Sequence, residues 1–466
     1  MKITTKIAFS SLLAFGLATA TVNFPFPQNV DYGNGIEVSD KAAAATQLKS
    51  AFNYYLTDKY KENGNYAAIE KDNNSNTFVS EGIGYGMLMM VYFSDNTTSY
   101  QDKFDKLWAY YKAGENEHGL MNWVFGTLTP NNNNANAATD AEMDVAAALI
   151  MAAYQFGDNK YLDEARTLLK NVKMYEFEEN GLHKPGDAWN DKKNPSYVAP
   201  AYYRLFAAVD TDNAGFWNTT AMNANYALLE ANSAEYSTGL FDNWSDANGR
   251  GLDGKYGYDA ARTPWRLAQD FYWFGETRAK TMLAKTGSWL STVQASSIKG
   301  SLFRSNGAPE NEWTSHNSTF VATLMTNLVT DGSYQTKLDE YWNEVTTLGN
   351  EAYFEQSLKI LCGLLVSGNM PNLTAGSLTP IEPGPEALSR PVASTSSFLF
   401  ANNTVSVNLK GQSKVELLDL QGRTVRTLWN GGANGNVSLS INAQPGIYLV
   451  RIQGQGVSET HKVAVK

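Results

Sequence analysis

The chain has 466 residues, of which 43% are hydrophobic and 12% aromatic, enough to bury a large core and to exclude disorder as its main state. Its formal charge of −10 argues against nucleic acid as a partner, because phosphate binding needs clustered Lys and Arg. The lone cysteine, Cys362, excludes an internal disulfide, and its neighbours Leu361 and Leu364 mark it as a buried helix residue rather than a reactive thiol.

The first twenty residues carry Lys2 and Lys6, an apolar run from Ile7 to Leu17, and then Ala18-Thr19-Ala20. This is the layout of a secretory signal peptide over residues 1–20, so the mature protein is expected to leave the cytoplasm. No later stretch is apolar and charge-free for long enough to span a bilayer, which predicts a soluble or surface-attached product without a membrane span. Residues 392–466 hold seven Lys/Arg against three Asp/Glu, so the acidity is concentrated upstream.

Residues 21–370 read as helical, in two alternating kinds. Stretches near 44–58, 100–113, 161–173, 217–231, 276–293 and 334–347 are amphipathic and predict outward-facing helices. Stretches near 82–93, 145–156, 199–209, 265–274, 318–329 and 357–366 are apolar nearly all round and predict helices buried on every side. An inner ring of helices wrapped by an outer ring, an all-α toroid, is the simplest packing that satisfies both sets. Pro371, Pro380, Pro383, Pro385 and Pro391 then interrupt a Gly-, Ser- and Thr-containing stretch, which predicts a linker over 371–391. Residues 392–466 alternate in short runs punctuated by Gln421-Gly422, Gly431-Gly432 and Pro445-Gly446, which predicts a small antiparallel β-sandwich.

Three of the inner helices open on an acid: Glu81 in SEGIGYGM (80–87), Asp140 in ATDAEMD (138–144) and Asp259 in YDAARTPWR (258–266). An acid in a first helical turn is ordinary, since the helix dipole and N-capping favour it. Three of them on the same end of a toroid, each among Gly, Tyr or Trp, point instead to one cleft. Two carboxyl groups across an aromatic cleft suit glycoside hydrolysis, one protonating the leaving oxygen while the other handles the nucleophile. Trp123, Trp189, Tyr202, Tyr203, Tyr258 and Tyr353 are the candidate sugar platforms, whereas Trp265, inside a helix run, reads as packing. His118, His183, His316 and His461 show no ligand spacing, so neither a metal site nor a cofactor is expected, and His118 and His183 read as surface residues.

SEGxGYGM, ATDAxxDxAxAL and DAxRTPWR, in this order, resemble glycoside hydrolase family 8, as do NPSYxAPAYY at 194–203 and the run at 353–369. The resemblance implies an (α/α)6 barrel and an inverting attack on β-1,4-linked polysaccharide, with Glu81 as general acid, Asp259 as general base and Asp140 holding and distorting the sugar. A helix start depresses a carboxyl pKa whereas a general acid needs it raised, so Glu81 must be offset by burial or by Asp140. Asp259 is expected to stay ionised with help from Arg262, also a candidate substrate contact, and inversion requires roughly 6.5–9.5 Å between the two carboxyls, against about 5 Å for a retaining route. Glu142 stands where the family commonly has Asp, which is expected to alter substrate contacts and leave the chemistry intact.

The motifs look closer to the endo-β-1,4-glucanase members than to the xylanases, and the presence of Asp259 disfavours chitosan. A noncatalytic glycan-binding protein would keep the aromatic cleft without needing Glu81 or Asp259, and a polysaccharide lyase would want a Tyr/His base and basic residues. Leu418 to Arg423 and Pro445 to Ile452 resemble the C-terminal sorting modules of the type IX secretion pathway, implying export or surface display. A carbohydrate-binding module is the competing reading, with Trp429 and Tyr448 as its stacking candidates. The enzyme is expected to act as a monomer.

Overall fold

The computed structural model describes residues 22–71, 75–311, 315–375, 399–401, 403–418, 423–444, 446–454 and 457–465. The leader expected over 1–20 and most of the expected linker lie outside the described residues. The chain divides near residue 381 into two units.

The first unit contains the helices α1 (Lys41–Asp58), α2 (Ser80–Phe93), α3 (Gln101–Ala113), α4 (Thr139–Phe156), α5 (Lys160–Glu176), α6 (Pro200–Val209), α7 (Met222–Ala234), α8 (Thr263–Phe274), α9 (Thr277–Leu290), α10 (Ser318–Met325), α11 (Gln335–Thr347) and α12 (Tyr353–Val366). The even-numbered helices are the apolar ones. Every residue of α2 except Glu81 is buried, as is nearly all of α4, α8 and α12. Odd-numbered helices such as α5 bury a single apolar stripe, Tyr161, Leu162, Ala165, Leu168, Leu169 and Val172, and turn most of their charges to solvent, with Glu176 at the end of α5 buried. Contacts run from α2 to α4, α4 to α6, α6 to α8, α8 to α10, α10 to α12, and from α12 back to α2.

An N-terminal arm fixes the direction of the inner helices. Asn23 N–H donates to Gln155 O at the end of α4, Phe26 N–H to Ser94 O after α2, Val38 N–H to Val366 O at the end of α12, and the Asn34 amide to Tyr272 O late in α8. These carbonyls are the acceptors a helix C-terminus leaves unpaired. The arm therefore runs beneath the C-terminal ends, and the N-termini of α2, α4 and α12 open at the other end.

Gly84 sets how closely α2 and α4 approach. A Cβ at Gly84 would lie 2.7 Å from the Asp144 Cβ, an atom held by its own backbone and unable to swing aside. Gly84→Ala is therefore expected to cost about 1–3 kcal/mol of stability, measured by chemical denaturation.

The chain stays on this unit past Pro371. The Tyr92 hydroxyl donates to Pro371 O, and Leu373 and Thr374 are buried, so the apolar contacts continue into the segment read as linker. In the second unit the strands are longer than the short runs expected. Thr404–Leu418 pairs along one edge with Thr424–Ser440 and along the other with Leu399–Ala401 and Gly446–Gly454, and Gly446–Gly454 pairs in turn with Val457–Val465, all antiparallel. Gly431-Gly432, expected as a turn, lies inside the Thr424–Ser440 strand, because pairing along the whole length of its neighbour outweighs glycine's preference for turns. Val405, Val407, Val415, Leu417, Val450 and Ile452 form this unit's own apolar cluster.

Candidate active site

Glu81 projects from the first turn of α2, whose start is tied to an exposed aromatic: Ser80 N–H donates to Trp123 O, and the strand Phe78–Val79 pairs with Val124–Phe125. Trp123 is 46% exposed beside it. Asp140 projects from the first turn of α4, where the Thr139 hydroxyl donates to Lys184 O and fastens the loop that carries Trp189. Between the two acids sits Arg262. Its guanidinium pairs with Glu81 and with Asp140, its Nε donates to the Ser196 hydroxyl at 3.2 Å, and it lies 5.1 Å over the Tyr197 ring. Ser196 and Tyr197 belong to the short helical turn Pro195–Tyr197, capped by the Asn194 side chain.

One guanidinium charge is thus shared by two carboxyl groups, so the second negative charge goes uncompensated. Burial raises both carboxyls, and the Arg262 charge opposes it without cancelling it. The Glu81 carboxyl is pushed up to about 7, with Asp140 adding to the rise, although the Tyr353 hydroxyl donates to it at 2.8 Å and favours the charged form. Burial also dominates the dipole of α2, the effect that would have lowered it. One turn further down, Arg266 forms a second, bidentate pair with Asp144 at 2.5 and 2.7 Å, entirely buried.

Asp259 departs from the expected position. The helix begins at Thr263, with Pro264 in its first turn, and residues 258–262 form the turn before it. That turn aims Arg262 at Glu81 and Asp140, so the expected support of Asp259 by Arg262 is replaced by another contact: Trp244 Nε1 donates to Asp259 Oδ2 at 2.8 Å. Asp259 is exposed, yet it joins the same group. Tyr197 feels the charges of Asp140, Arg262, Glu81 and Asp259 together, and its ring lies 6.5 Å from that of Trp244.

The expected sugar platforms divide. Trp123 and Tyr258 are exposed, and the Tyr258 hydroxyl accepts from the Asn317 amide. Trp189 is half-buried with its ring 5.5 Å from that of Trp244. Tyr202 and Tyr203 are fully buried and offer no face to a sugar, because α6 is an inner helix: Tyr202 lies under Arg266, and Tyr203 packs on Trp217 and Phe177. Tyr353 is buried too and serves Glu81 through its hydroxyl. Glu142 turns to the Tyr111 hydroxyl inside the core, out of reach of substrate. His118 is half-buried, its Nδ1 2.8 Å from Asp187, but His183 is wholly buried against Asn225, and burial pushes its pKa down to about 4.

Asn243, Trp244, Ser196 and the Asp144–Arg266 pair were not singled out from the sequence. The last had a legible signal, since Asp140 and Asp144 repeat at four residues on one element and Arg262 and Arg266 repeat at four on the facing one. Among the described residues no group of three or more His, Cys, Asp or Glu side chains is placed to hold a metal ion, and no helix is long and apolar enough to cross a membrane.

A carboxyl group biased to carry a proton near neutral pH, a second and exposed carboxylate, and open aromatic faces around both define an acid–base hydrolase of carbohydrate. The chain belongs to the glycosyl hydrolases family 8, whose model matches residues 22–368, and residues 401–466 match the secretion system C-terminal sorting domain. It is 34% identical over 388 residues to endoglucanase 2 of Ruminiclostridium josui, covering 78% of this chain and 81% of that one. It is 32% identical to endoglucanase A of Acetivibrio thermocellus, covering 75% and 74%. The fold matches the apo structure of a β-1,3-1,4-glucanase from Paenibacillus sp. X4 with a TM-score of 0.69 at 24% identity, covering 75% of this chain and 99% of that one. The protein is therefore a secreted or cell-surface glycoside hydrolase that carries a type IX sorting domain, and the competing reading of residues 392–466 as a carbohydrate-binding module is set aside.

Proposed function

We propose that the protein is an inverting endo-β-1,4-glucanase acting on cellulose or mixed-linkage β-glucan, with Glu81 donating the proton, Asp259 activating water and Asp140 holding the sugar at the scissile bond. The observation that carries this reading is the Glu81 carboxyl, pushed up to about 7 at a helix start that would otherwise lower it. The contacts of α2, α4, α6, α8, α10 and α12 in a closed succession support a complete (α/α)6 barrel, and the inner helix starts would form its cleft. Trp123, Trp189 and Tyr258 would line that cleft as sugar platforms. The bulges in Thr424–Ser440, where Leu428 and Val425 are the extra residues, would let the C-terminal sheet fold over its apolar face as a sandwich.

In this mechanism the leaving oxygen takes the Glu81 proton while water, deprotonated by Asp259, attacks the anomeric carbon from the opposite face. Asp140 and Arg262 keep the sugar and the donor in register. Hydrolysis of carboxymethylcellulose, barley glucan and xylan in parallel tests the substrate: release of reducing sugar from the first two is expected, and cleavage of xylan alone would overturn the glucanase reading.

The donor must be protonated to act, so kcat/KM should hold below pH 7 and fall about tenfold per unit above it. Arg262 lowers the Glu81 pKa, so in Arg262→Met the surviving activity should lose its alkaline limb at higher pH than wild type does. An alkaline limb that stays in place would separate Glu81 from that titration.

A further inference from the structure

Asp259 lies in a turn and is exposed, which is a poor setting for a group that must hold one geometry. The structure supplies a clamp from two consecutive residues on a separate loop. Asn243 Oδ1 accepts from Gly257 N–H at 2.8 Å and from Ala260 N–H at 3.2 Å, and so grips the backbone on both sides of the acid. Trp244 Nε1 donates to Asp259 Oδ2 at 2.8 Å, and among the described residues this is the carboxylate's one side-chain donor.

The loop that carries the pair is itself fixed. Asn243 Nδ2 donates to Asp253, and Asp242 accepts from Gly254 N–H at 2.8 Å and from the buried Arg304 at 2.8 Å. A side chain at Gly257 would meet the Asn243 amide at 2.8 Å, so the grip leaves room only for glycine. Lys192 places its ammonium 3.8 Å above the Trp244 ring and has no carboxylate partner among the described residues. A cation on the π face draws electron density from the indole and makes its N–H the stronger donor.

We propose that Asn243 and Trp244 are positioning residues for the water-activating carboxylate, with Asn243 fixing the backbone around Asp259 and Trp244 fixing which carboxylate oxygen is free to face water. The proposal rests on the reading of Asp259 as general base. Oδ2 is occupied by the indole N–H, so Oδ1 is the oxygen left to take the proton. Turnover should then depend on the clamp, while substrate affinity should not.

The test is a double-mutant cycle with Trp244→Phe, which keeps the aromatic face and removes only the donor. In the presence of Asp259, Trp244→Phe is expected to lower kcat on a β-glucan oligomer about tenfold with KM little changed, the loss of one hydrogen bond to a charged group. In the Asp259→Asn background, where no base remains to be held, it should cost nothing further in residual kcat. A rise in KM at unchanged kcat, or an equal loss of kcat in both backgrounds, would make Trp244 a sugar platform and overturn the proposal. Full activity in Asp259→Asn alone would instead sink the base assignment, a separate failure. Thermal melting establishes that each variant is folded, and Asn243→Ser, which loosens the backbone grip while leaving the indole in place, is read in the same way should Trp244→Phe unfold.

Discussion

Glu81→Gln is expected to lower kcat/KM on barley glucan about a thousandfold, the usual reach of a positioned general acid. Glutamine keeps the volume and still accepts from the Tyr353 hydroxyl, so the helix start and the aromatic cleft should survive and binding should persist. The loss should shrink for an aryl cellobioside whose dinitrophenolate departs without a proton. That dependence separates a proton donor from a residue that merely binds. If Glu81→Gln lowers both substrates equally, the carboxyl does not act as the acid, and if it changes neither, the noncatalytic glycan-binding reading returns.

Asp259→Asn should show a loss of similar size, about a thousandfold, with the opposite leaving-group behaviour. A good leaving group does not replace the base, so the aryl cellobioside should be hydrolysed as poorly as the polymer. Azide needs no deprotonation and is small enough for the place of water, so adding it should restore cleavage and give the α-configured glycosyl azide. Recovery with the β-configured azide, or no distinction from Glu81→Gln, would show that the two carboxyls do not divide the work as proposed.

Much of this was legible in the sequence because burial leaves a periodic trace. The inner helices are apolar all round and the outer ones carry a single stripe, so each of the twelve elements could be anticipated, and with them the placement of Glu81 and Asp140 in first turns. The direction of a side chain leaves no such trace. Tyr202 and Tyr203 lie in the same helix-start motif as residues at the cleft, yet an inner helix buries both, and only the packing on Trp217 and Arg266 reveals it. The position of Asp259 had a signal that hydrophobic periodicity hid. Pro264 favours a first helical turn, which puts the helix start at Thr263 and leaves Asp259 in the preceding turn. The partnership of Trp244 with Asp259 had none, since it joins two irregular segments through one hydrogen bond.

The charge arrangement explains how Glu81 can hold a proton. Arg262 alone would keep Glu81 ionised, and burial alone would also drive Asp140 toward the neutral form. One cation between two buried carboxyls satisfies one charge and leaves the other site to hold a proton, a coupled pair rather than two independent groups. The buried Asp144–Arg266 pair beneath it holds α4 against α8 and so keeps that spacing.

A proton donor and a water activator working from opposite faces of one β-linkage would invert the anomeric centre, and the configuration of the first-formed product reports on this directly. Proton NMR of a β-glucan oligomer during the first moments of hydrolysis, before mutarotation, should show the new reducing end appearing as the α-anomer. Initial appearance of the β-anomer would mean a covalent, retaining route and would rule out Asp259 as the activator of water.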